Sequence, residues 1–307
     1  MPSMSCLMRR ITIPSAMSLA ATLLPSGMSA QQHVDIRRAT SSDVSVRVSG
    51  AYSKLDVVAW NVDSIALTGT LPKGARLEGG VGGNTVGPAR GAKFWIEPAA
   101  GNPGGGTLVL RVPARARVWV KTDNAAISVE GVRGELDLNI VAGSIDVRGN
   151  PSQANLESMD GTVTFDGTAS WLRIKTGDGN VMVRGSIEDF ATTTVSGLIT
   201  VRDGNHERAR IESVTGAVVF AGHLVRGASL TIDTHSGTIE LSSRVKTSLR
   251  IDARTLTGRI ENMLTSKRPS PGRDGRGEEL TLELGDGGAQ AMLRSFKAGI
   301  RLTADTR

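Results

Sequence analysis

Asp160 and Asp178 lie 18 residues apart, and each precedes a glycine in a similar sequence context. If the chain repeats with that period, the two carboxylates occupy one position on neighbouring coils, about 4.8 Å apart. Paired carboxylates are common ligands of Ca²⁺, so this pair is the candidate metal site. The flanking copies carry Ala142 and Ser196 at that position, which argues against a ladder of cations. We therefore favour solvated Asp-Gly turns and expect no cofactor.

A second set of charged residues is relevant to cleavage of polysaccharides. Exported parallel β-helices include polysaccharide lyases and hydrolases, which need two carboxylates placed for acid–base work. One charged column at the same period reads Glu130, Arg148, Asp166, Arg184 and Arg202. Mixed signs along the column indicate ion pairs between neighbouring strands on a solvated face. No catalytic residue is assigned, and the carbohydrate-active enzyme stays an alternative.

The remaining candidates for chemistry are weak. The four histidines, at positions 33, 206, 223 and 235, show no spacing typical of a metal site. The sequence Gly177-Asp-Gly179 lacks the Gly-Lys-Ser/Thr that a phosphate-binding loop needs.

These residues lie in a repeat that predicts the whole fold. Copies aligned on one anchor position begin at Ala125 and continue at Gly143, Gly161, Gly179, Gly197, Gly216 and Gly237. The first four steps are 18 residues long, and the next two are 19 and 21. Self-similarity at a short fixed period is the mark of a solenoid.

Apolar and polar residues alternate on both sides of each anchor. The position five before the anchor reads Val120, Leu138, Leu156, Ile174, Thr192, Ile211 and Ile232. The position four after it reads Val129, Val147, Phe165, Val183, Val201, Phe220 and Leu241. Period-two alternation with β-branched residues indicates strands with one buried face. We therefore predict an all-β, single-domain parallel β-solenoid (a β-helix) with coils of about 18 residues. Each coil holds two short strands, and the anchor glycines form turns by adopting positive φ.

The N-terminal 30 residues are typical of an export signal. Arg9 and Arg10 precede an apolar stretch over residues 11–24, and small residues lead to predicted cleavage near Ala30. Cys6, the only cysteine, lies in this segment, so the mature chain has no disulfide. We expect a protein of the bacterial periplasm or outer surface.

Residues 31–307 are predicted to form the one solenoid domain. Residues 34–117 make irregular N-terminal coils with a glycine-rich excursion over 79–106, and residues 118–262 hold the regular repeats. Residues 263–279 are predicted to be a mobile loop, because residues 266–278 carry no apolar side chain. Residues 280–303 form a C-terminal coil.

The mobile loop is also basic. Without Arg9 and Arg10 the chain has 34 Lys and Arg against 30 acids, a surplus of about +4. Four of these cations lie in or beside the loop: Lys267, Arg268, Arg273 and Arg276. Such a loop is a candidate contact for anionic lipid. Binding of nucleic acid is not expected, since aromatics are few and no binding motif is present.

The residues around the repeat resemble a known family. The segment Val58-Ala-Trp-Asn-Val-Asp-Ser-Ile-Ala-Leu-Thr-Gly69 resembles an early segment of the bacterial putative-adhesin β-repeat domains. The repeated Ser/Thr-x-Ser/Asp-Gly-x-Ile/Val-x-Val unit is similar to the hallmark of that family. Gly285-Asp-Gly-Gly288 followed by 295–302 resembles its last turn. The resemblance covers residues 34–303 and implies an exported β-solenoid without known catalytic residues.

The functional prediction follows from fold and resemblance together. We predict a non-enzymatic cell-envelope protein that acts as an adhesin-like binding or scaffold module. One alternative is a polysaccharide lyase or hydrolase, and another is an envelope-stress sensor that binds anionic lipid through the basic loop. Candidate partners are envelope glycans, anionic lipid or another surface protein. Oligomerisation through exposed solenoid ends is possible.

Overall fold

The computed structural model describes residues 31–82, 88–101, 105–244, 247–272 and 275–305. The predicted signal peptide, Cys6 and Arg273 lie outside these ranges. Within them no helix is long and apolar enough to cross a membrane. The first strands are β1 (Gln32–Gly50), β2 (Lys54–Trp60), β3 (Ser64–Leu71), β4 (Arg76–Gly82), β5 (Ala89–Glu97), β6 (Thr107–Pro113) and β7 (Arg117–Glu130). The central strands are β8 (Glu135–Gly149), β9 (Gln153–Gly167), β10 (Ala169–Asp178), β11 (Val181–Arg184), β12 (Ile187–Ser196), β13 (Ile199–Ser213) and β14 (Val218–Thr234). The last strands are β15 (Ile239–Ser243), β16 (Leu249–Thr255), β17 (Ile260–Asn262), β18 (Ser270–Pro271), β19 (Glu278–Leu284), β20 (Ala289–Ser295) and β21 (Ile300–Ala304).

The alternation in the sequence determines which side chains form the core. In β8, Leu136, Leu138, Ile140, Ile145 and Val147 are buried, and the residues between them are half-buried or exposed. Strands β7 and β9 repeat the alternation, so apolar columns run through neighbouring coils. Because one coil cannot enclose its own apolar side chains, stability comes from stacking of neighbours.

The coils stack in parallel and in register. Leu138 pairs with Val120 on one side and Leu156 on the other, and Gly143 pairs likewise with Ala125 and Gly161. The predicted parallel β-solenoid is therefore confirmed. In β7, β8 and β9 the strand continues through the anchor, so the two predicted segments join into one bent strand. From Gly179 onward the anchor separates two strands.

Each coil contributes one segment to each of two ladders. We call the ladder before the anchors face 1 and the ladder after them face 2. Parallel pairing places eleven coils, here called layers, in a stack about 50 Å long. From layer 1 to layer 11 they are β5/β6, β1/β2, β7, β8, β9, β10/β11, β12 with early β13, late β13 with early β14, late β14 with β15, β20/β21, and β16/β17.

At both ends the order of layers departs from the order of the chain. β20 lies between β14 and β16, and β21 lies between β15 and β17. The last coil of the chain is therefore the second layer from this end of the stack, and the coil that precedes it in sequence is the outermost layer. At the other end β1 lies between β5 and β7. The sequence pattern predicted a C-terminal coil at the end of the rod, and this interleaving was not foreseen. The chain therefore steps over a layer twice, from β6 in layer 1 to β7 in layer 3 and from β15 in layer 9 to β16 in layer 11.

Antiparallel strands cover both end layers. On face 1, β4 pairs with β5 at one end and β19 pairs with β16 at the other. β3 pairs antiparallel with β6 and with the first half of β1. The segment predicted to be mobile contains β18, which pairs with β19, and Glu278 Oε2 accepts a hydrogen bond from Ile260 N at 2.6 Å. The mobility of this segment stays a prediction.

The anchor glycines are required mainly by close stacking. Only Gly143 and Gly197 have the predicted positive φ, at 115° and 97°. A Cβ on Gly179 would lie 2.0 Å from the carbonyl oxygen of Gly161, and one on Gly216 would lie 1.9 Å from that of Gly197. A side chain at this column would therefore displace the neighbouring coil.

The 19-residue step contains an extra residue in β13, between its face 2 segment and its face 1 segment. Asp203 takes a φ of 60°, and the register between β13 and β14 shifts between Arg202 and Asn205. Beyond this bulge His206 occupies a fully buried position, with ring centroids 6.4 Å from Phe190 and 5.6 Å from Phe220. Burial lowers the pKa of His206, although Nε2 donates to the carbonyl oxygen of Asp203 at 3.3 Å.

Candidate functional site

The structure brings together the two predicted metal-site aspartates without a third ligand. Asp160 and Asp178 are paired neighbours on exposed positions of β9 and β10, and Ser196 Oγ donates to Asp178 at 2.5 Å. No group of three or more His, Cys, Asp or Glu side chains able to hold a metal occurs among the residues that the structure describes. Both carboxylates are exposed on their strands, and the interpretation of the pair as solvated Asp-Gly residues without a metal stays a prediction.

The predicted basic surface is only partly available. Arg268 and Arg276 are exposed, whereas the Lys267 ammonium donates to the carbonyl oxygen of Thr281 at 2.7 Å. Arg273 lies outside the described residues. In the charged column beyond the anchors, Arg148 forms an ion pair within its own strand, with Asp146 at 3.0 Å. Ion pairs between layers occur on both faces, as between Lys175 and Glu157 at 3.4 Å on face 1 and between Arg301 and Glu261 at 2.9 Å on face 2.

The most distinctive surface lies on face 1, between two tryptophans. A shallow, open depression of about 310 Å³ spans layers 2 to 6, with Trp119 on one side and Trp171 on the other. Both indoles are half-buried. They lie three layers apart, or about 14 Å along the stack. We call this surface the tryptophan depression.

Polar side chains from two neighbouring strands form its floor. β8 contributes Glu135 and Asp137, and β9 contributes Gln153 and Asn155. The outward residues of a strand lie two apart, so each strand presents a pair of polar groups to solvent. Asp137 and Asn155 are Cα partners, which places the carboxylate beside the amide. The floor therefore offers both donors and acceptors.

Local contacts fix part of this floor. Asp137 Oδ1 accepts hydrogen bonds from Asn139 Nδ2 at 2.6 Å and Asn155 Nδ2 at 3.1 Å. The second carboxylate oxygen of Asp137 remains available to a ligand in this network. Arg47 lies with its guanidinium 6.0 Å from the centroid of Trp119, a cation–π distance that orients the indole. The depression is thus preorganised without being enclosed.

The sequence interpretation missed this site, although it carried a signal. Trp119 stands six residues before its anchor and Trp171 eight before its anchor, and both positions point outward on face 1. Only four tryptophans occur in the chain. Three of them, Trp95, Trp119 and Trp171, point outward on face 1, which is unusual because large aromatics normally bury most of their surface.

A second missed feature is a buried hydroxyl column three residues before the anchors. It comprises Thr122, Ser158, Thr176, Thr194, Ser213, Thr234, Ser295 and Thr255. Ser213 Oγ donates to the carbonyl oxygen of Gly216 at 2.8 Å, and Thr234 Oγ1 donates to that of Gly237 at 2.7 Å. The hydroxyls of Ser213, Thr234 and Thr255 thus satisfy backbone acceptors at the bend between the two faces, whereas Ser158 Oγ has no hydrogen-bond partner within the described part of the chain. Their role is structural.

Comparison with solved structures gives only distant similarities. A putative adhesin from Bacteroides fragilis is 10% identical, with a TM-score of 0.43 over 89% of this chain and 98% of that one. A putative lipid binding protein from Parabacteroides distasonis is also 10% identical, with a TM-score of 0.38 over 89% and 98%. A putative cell adhesion protein from Clostridium sporogenes is 7% identical, with a TM-score of 0.19 over 90% and 99%. TM-scores this low carry no argument about function.

Sequence comparison assigns the family. No curated protein matches the chain at a significant level. The family model described as Toastrack DUF4097 matches residues 28–275, which is most of the solenoid. The chain belongs to the Toastrack DUF4097 family.

Proposed function

We propose that the protein is a non-enzymatic, adhesin-like binding protein of the bacterial cell envelope, and that face 1 binds an extended glycan. The observation that carries this proposal is the tryptophan depression. Trp119 and Trp171 flank a floor of carboxylate and amide groups on a regular, open surface. A binding surface of this kind needs no moving part and no cofactor.

The chemistry of the depression fits a sugar chain. The C–H faces of a pyranose ring pack on an indole, whose π face carries partial negative charge. Hydroxyl groups can both donate and accept, so they suit a floor in which Asp137 accepts and the amides of Gln153 and Asn155 do both. The tryptophans lie about 14 Å apart along the stack, which is the length of a short oligosaccharide. An open depression admits an internal segment of a long polymer.

A polysaccharide-cleaving enzyme is the second candidate, because Glu135 and Asp137 lie in one depression. Their Cα atoms are about 7 Å apart on one strand face, which is compatible with the carboxyl separations of glycosidases. Asp137 Oδ1 already accepts two hydrogen bonds, from the amides of Asn139 and Asn155, so this oxygen is engaged in the floor rather than presented to a glycosidic oxygen. Binding without cleavage is therefore the primary proposal.

Export remains part of the proposal and rests on the sequence of residues 1–30. Arg9, Arg10 and the following apolar stretch support a cleaved signal peptide, with the solenoid released into the periplasm or to the cell surface. Mass spectrometry of the mature N-terminus from a bacterial host tests this point directly. An N-terminus near Gln31 is expected, and an intact chain in the cytoplasm would contradict it.

The glycan proposal is tested by binding and cleavage assays on the same samples. The purified protein is titrated with peptidoglycan fragments and envelope polysaccharides, and the mixtures are analysed for shortened products. We expect saturable binding without products. Trp119→Ala and Trp171→Ala should each weaken binding about tenfold, or about 1.4 kcal/mol, through loss of the stacking face.

Trp95→Ala is the matched control, because Trp95 is 46% exposed on face 1 but lies outside the depression. Its affinity should equal that of the wild type. Equal losses in all three variants would mean that the depression has no special role. Products that disappear with Glu135→Gln would instead establish the enzyme.

A further inference from the structure

The part of face 1 in layers 1 to 3 carries positive charges without partners. The outward positions of β5, of the second half of β1 and of β7 include Lys93, Arg47, Arg117 and Lys121, all exposed, and no acid. We call this surface the basic end. Among the described residues, none of these four cations forms an ion pair.

Most cations farther along face 1 are paired, by contrast. Five of the seven at the outward positions of layers 6 to 11 form ion pairs, namely Lys175 with Glu157, Arg208 with Asp189, Arg210 with Glu212, Arg250 with Asp252 and Arg294 with Asp233. The other two are Arg173 and Arg254. The ladder of face 1 can therefore pair its charges within or between layers, and the basic end departs from that pattern.

Two charges of the basic end lie directly against each other. Arg47 and Lys93 are Cα partners in the parallel ladder of β1 and β5, about 4.8 Å apart. Like charges directly opposite each other destabilise a sheet. On its other side Arg47 pairs with Trp119, whose ring centroid lies 6.0 Å from the guanidinium. The arrangement is unfavourable in the free protein, and an anion bound between the two cations would remove the repulsion.

The acids around the basic end do not cancel its charge. A hydrogen bond with Ser41, and then the charges of Arg117 and Arg90, lower the pKa of Asp43 at the border of the face. With both borders and β4 included, this part of the face holds seven cations and four acids, a net charge of +3. The cations are Arg47, Arg76, Arg90, Lys93, Arg115, Arg117 and Lys121, and the acids are Asp43, Glu78, Glu97 and Asp123.

We propose that the glycan bound in the tryptophan depression is acidic, and that the basic end binds its carboxylate or phosphate groups beside Trp119. Arg47 and Arg117 line the depression, and Lys121 lies two residues from Trp119 on the same face of β7. Guanidinium groups present paired N–H donors that match the oxygens of carboxylate and phosphate. This inference rests on the proposed glycan binding and specifies the charge of its ligand.

The charges also determine where the anionic group lies along the depression. The outward positions of layers 4 and 5 carry Glu135, Asp137 and Glu157 and no cation. These carboxylates repel an anion, so the floor accepts the neutral hydroxyl and amide groups of the next sugars. A chain in which acidic sugars alternate with neutral ones satisfies both regions.

Titration with charged and neutral forms of one polymer tests the inference. Hyaluronan oligosaccharides carry a carboxylate on alternate sugars, and their carboxyl-reduced forms have the same backbone without charge. We expect the charged form to bind about tenfold more tightly at low salt, with the difference shrinking as salt screens the charges. Phosphorylated dextran and dextran form a second pair, which shows whether phosphate can replace carboxylate. A preference for the charged form in either pair supports the inference.

Variants locate the preference. Arg47→Gln and Arg117→Gln should each lower the affinity for the preferred charged polymer about fivefold and leave the affinity for its neutral form unchanged. Glu135→Gln should raise the affinity for the charged polymer, because it removes a repelling carboxylate. The matched control is Arg294→Gln, since Arg294 is on face 1 but is paired with Asp233 and lies outside the depression. It should bind like the wild type.

The possible failures are distinguishable. Equal affinity for charged and neutral forms, with Trp119→Ala weakening both, would overturn the acidic ligand and leave the glycan proposal intact. Equal losses in Arg294→Gln and Arg47→Gln would mean that the whole face attracts anions, and would overturn the assignment to the basic end. Binding to phosphatidylglycerol vesicles but to none of the four polymers would overturn both proposals, as would the absence of any binding.

Discussion

Replacing Gly179 by alanine tests whether close stacking, rather than turn conformation, requires the anchor glycines. Gly179 lacks a positive φ, so alanine meets no backbone strain there. The new Cβ would lie 2.0 Å from the oxygen and 2.8 Å from the carbon of the Gly161 carbonyl. The obstacle is backbone, which cannot rotate away as a side chain would. Layers 5 and 6 must therefore separate locally by about 1 Å to restore a normal contact distance of about 3 Å or more.

The expected cost combines two effects of that separation. Overpacking typically costs about 1–3 kcal/mol. Lengthening the neighbouring ladder bonds by about 1 Å removes about two hydrogen bonds, each contributing about 1 kcal/mol. We therefore expect Gly179→Ala to lower the free energy of unfolding by about 3–5 kcal/mol. With a urea dependence of about 3 kcal/mol per molar, the midpoint falls by about 1–1.7 M.

Urea titration followed by circular dichroism measures the effect. The control is Gly80→Ala in β4, where a Cβ would meet nothing within 4 Å and φ is not positive. The control midpoint should stay within about 0.2 M of the wild type, or rise slightly through reduced entropy of the unfolded chain. If both variants behave alike, the packing argument for the glycine column is wrong.

Two further predictions concern buried polar groups. Burial lowers the pKa of His206 in the folded protein below the usual histidine value of 6.5. At a pH below about 6.5, the unfolded chain therefore binds more protons at this residue than the folded protein does. Stability should therefore fall as pH drops below about 6.5, by up to about 1.4 kcal/mol per unit until the folded pKa is reached. The variant His206→Leu should lose this dependence when urea midpoints are compared at pH 7.5 and 5.0. Thr234→Val removes the 2.7 Å hydrogen bond to the carbonyl of Gly237 and leaves only the longer one from Ser295 Oγ, at 3.4 Å. It should cost about 1 kcal/mol, whereas the exposed Thr238→Val should cost almost nothing in the same assay.

The parallel stack could be predicted because its signal is local and repeated. Columns such as the one through Val120, Leu138 and Leu156 run through the aligned copies. Comparison of the copies therefore makes the buried positions clear even where one copy is irregular. The interleaved ends could not be predicted in the same way. Their pairings join segments such as β14 and β20, which are far apart in sequence and follow no fixed period. Single-sequence periodicity reports which face is buried but not which distant strand covers it.

The candidate site was missed for a different reason. Trp119 and Trp171 lie in different outward columns, and only the stacking of layers brings them to one surface. The alternation indicates only that outward positions face solvent. Charged residues at those positions were considered as candidate sites, whereas outward aromatic residues were not. Asp160 and Asp178, by contrast, were placed correctly as neighbours, because they share a column.

The interleaving of β20/β21 between two earlier coils has a consequence for the order of folding. A simple solenoid can zip up coil by coil as it is synthesised, since each new coil needs only its predecessor. Here the coil of β16/β17 has no parallel neighbour until residues 289–304 arrive and enter between it and β14/β15. The pairing of β1 between β5 and β7 delays closure of the other end likewise. The regular middle is thus free to form early, while both ends close last through contacts of long sequence separation, which form slowly. Once closed, the last coil of the chain, β20/β21, cannot fray alone, because it is paired on both sides, with β14/β15 and with β16/β17.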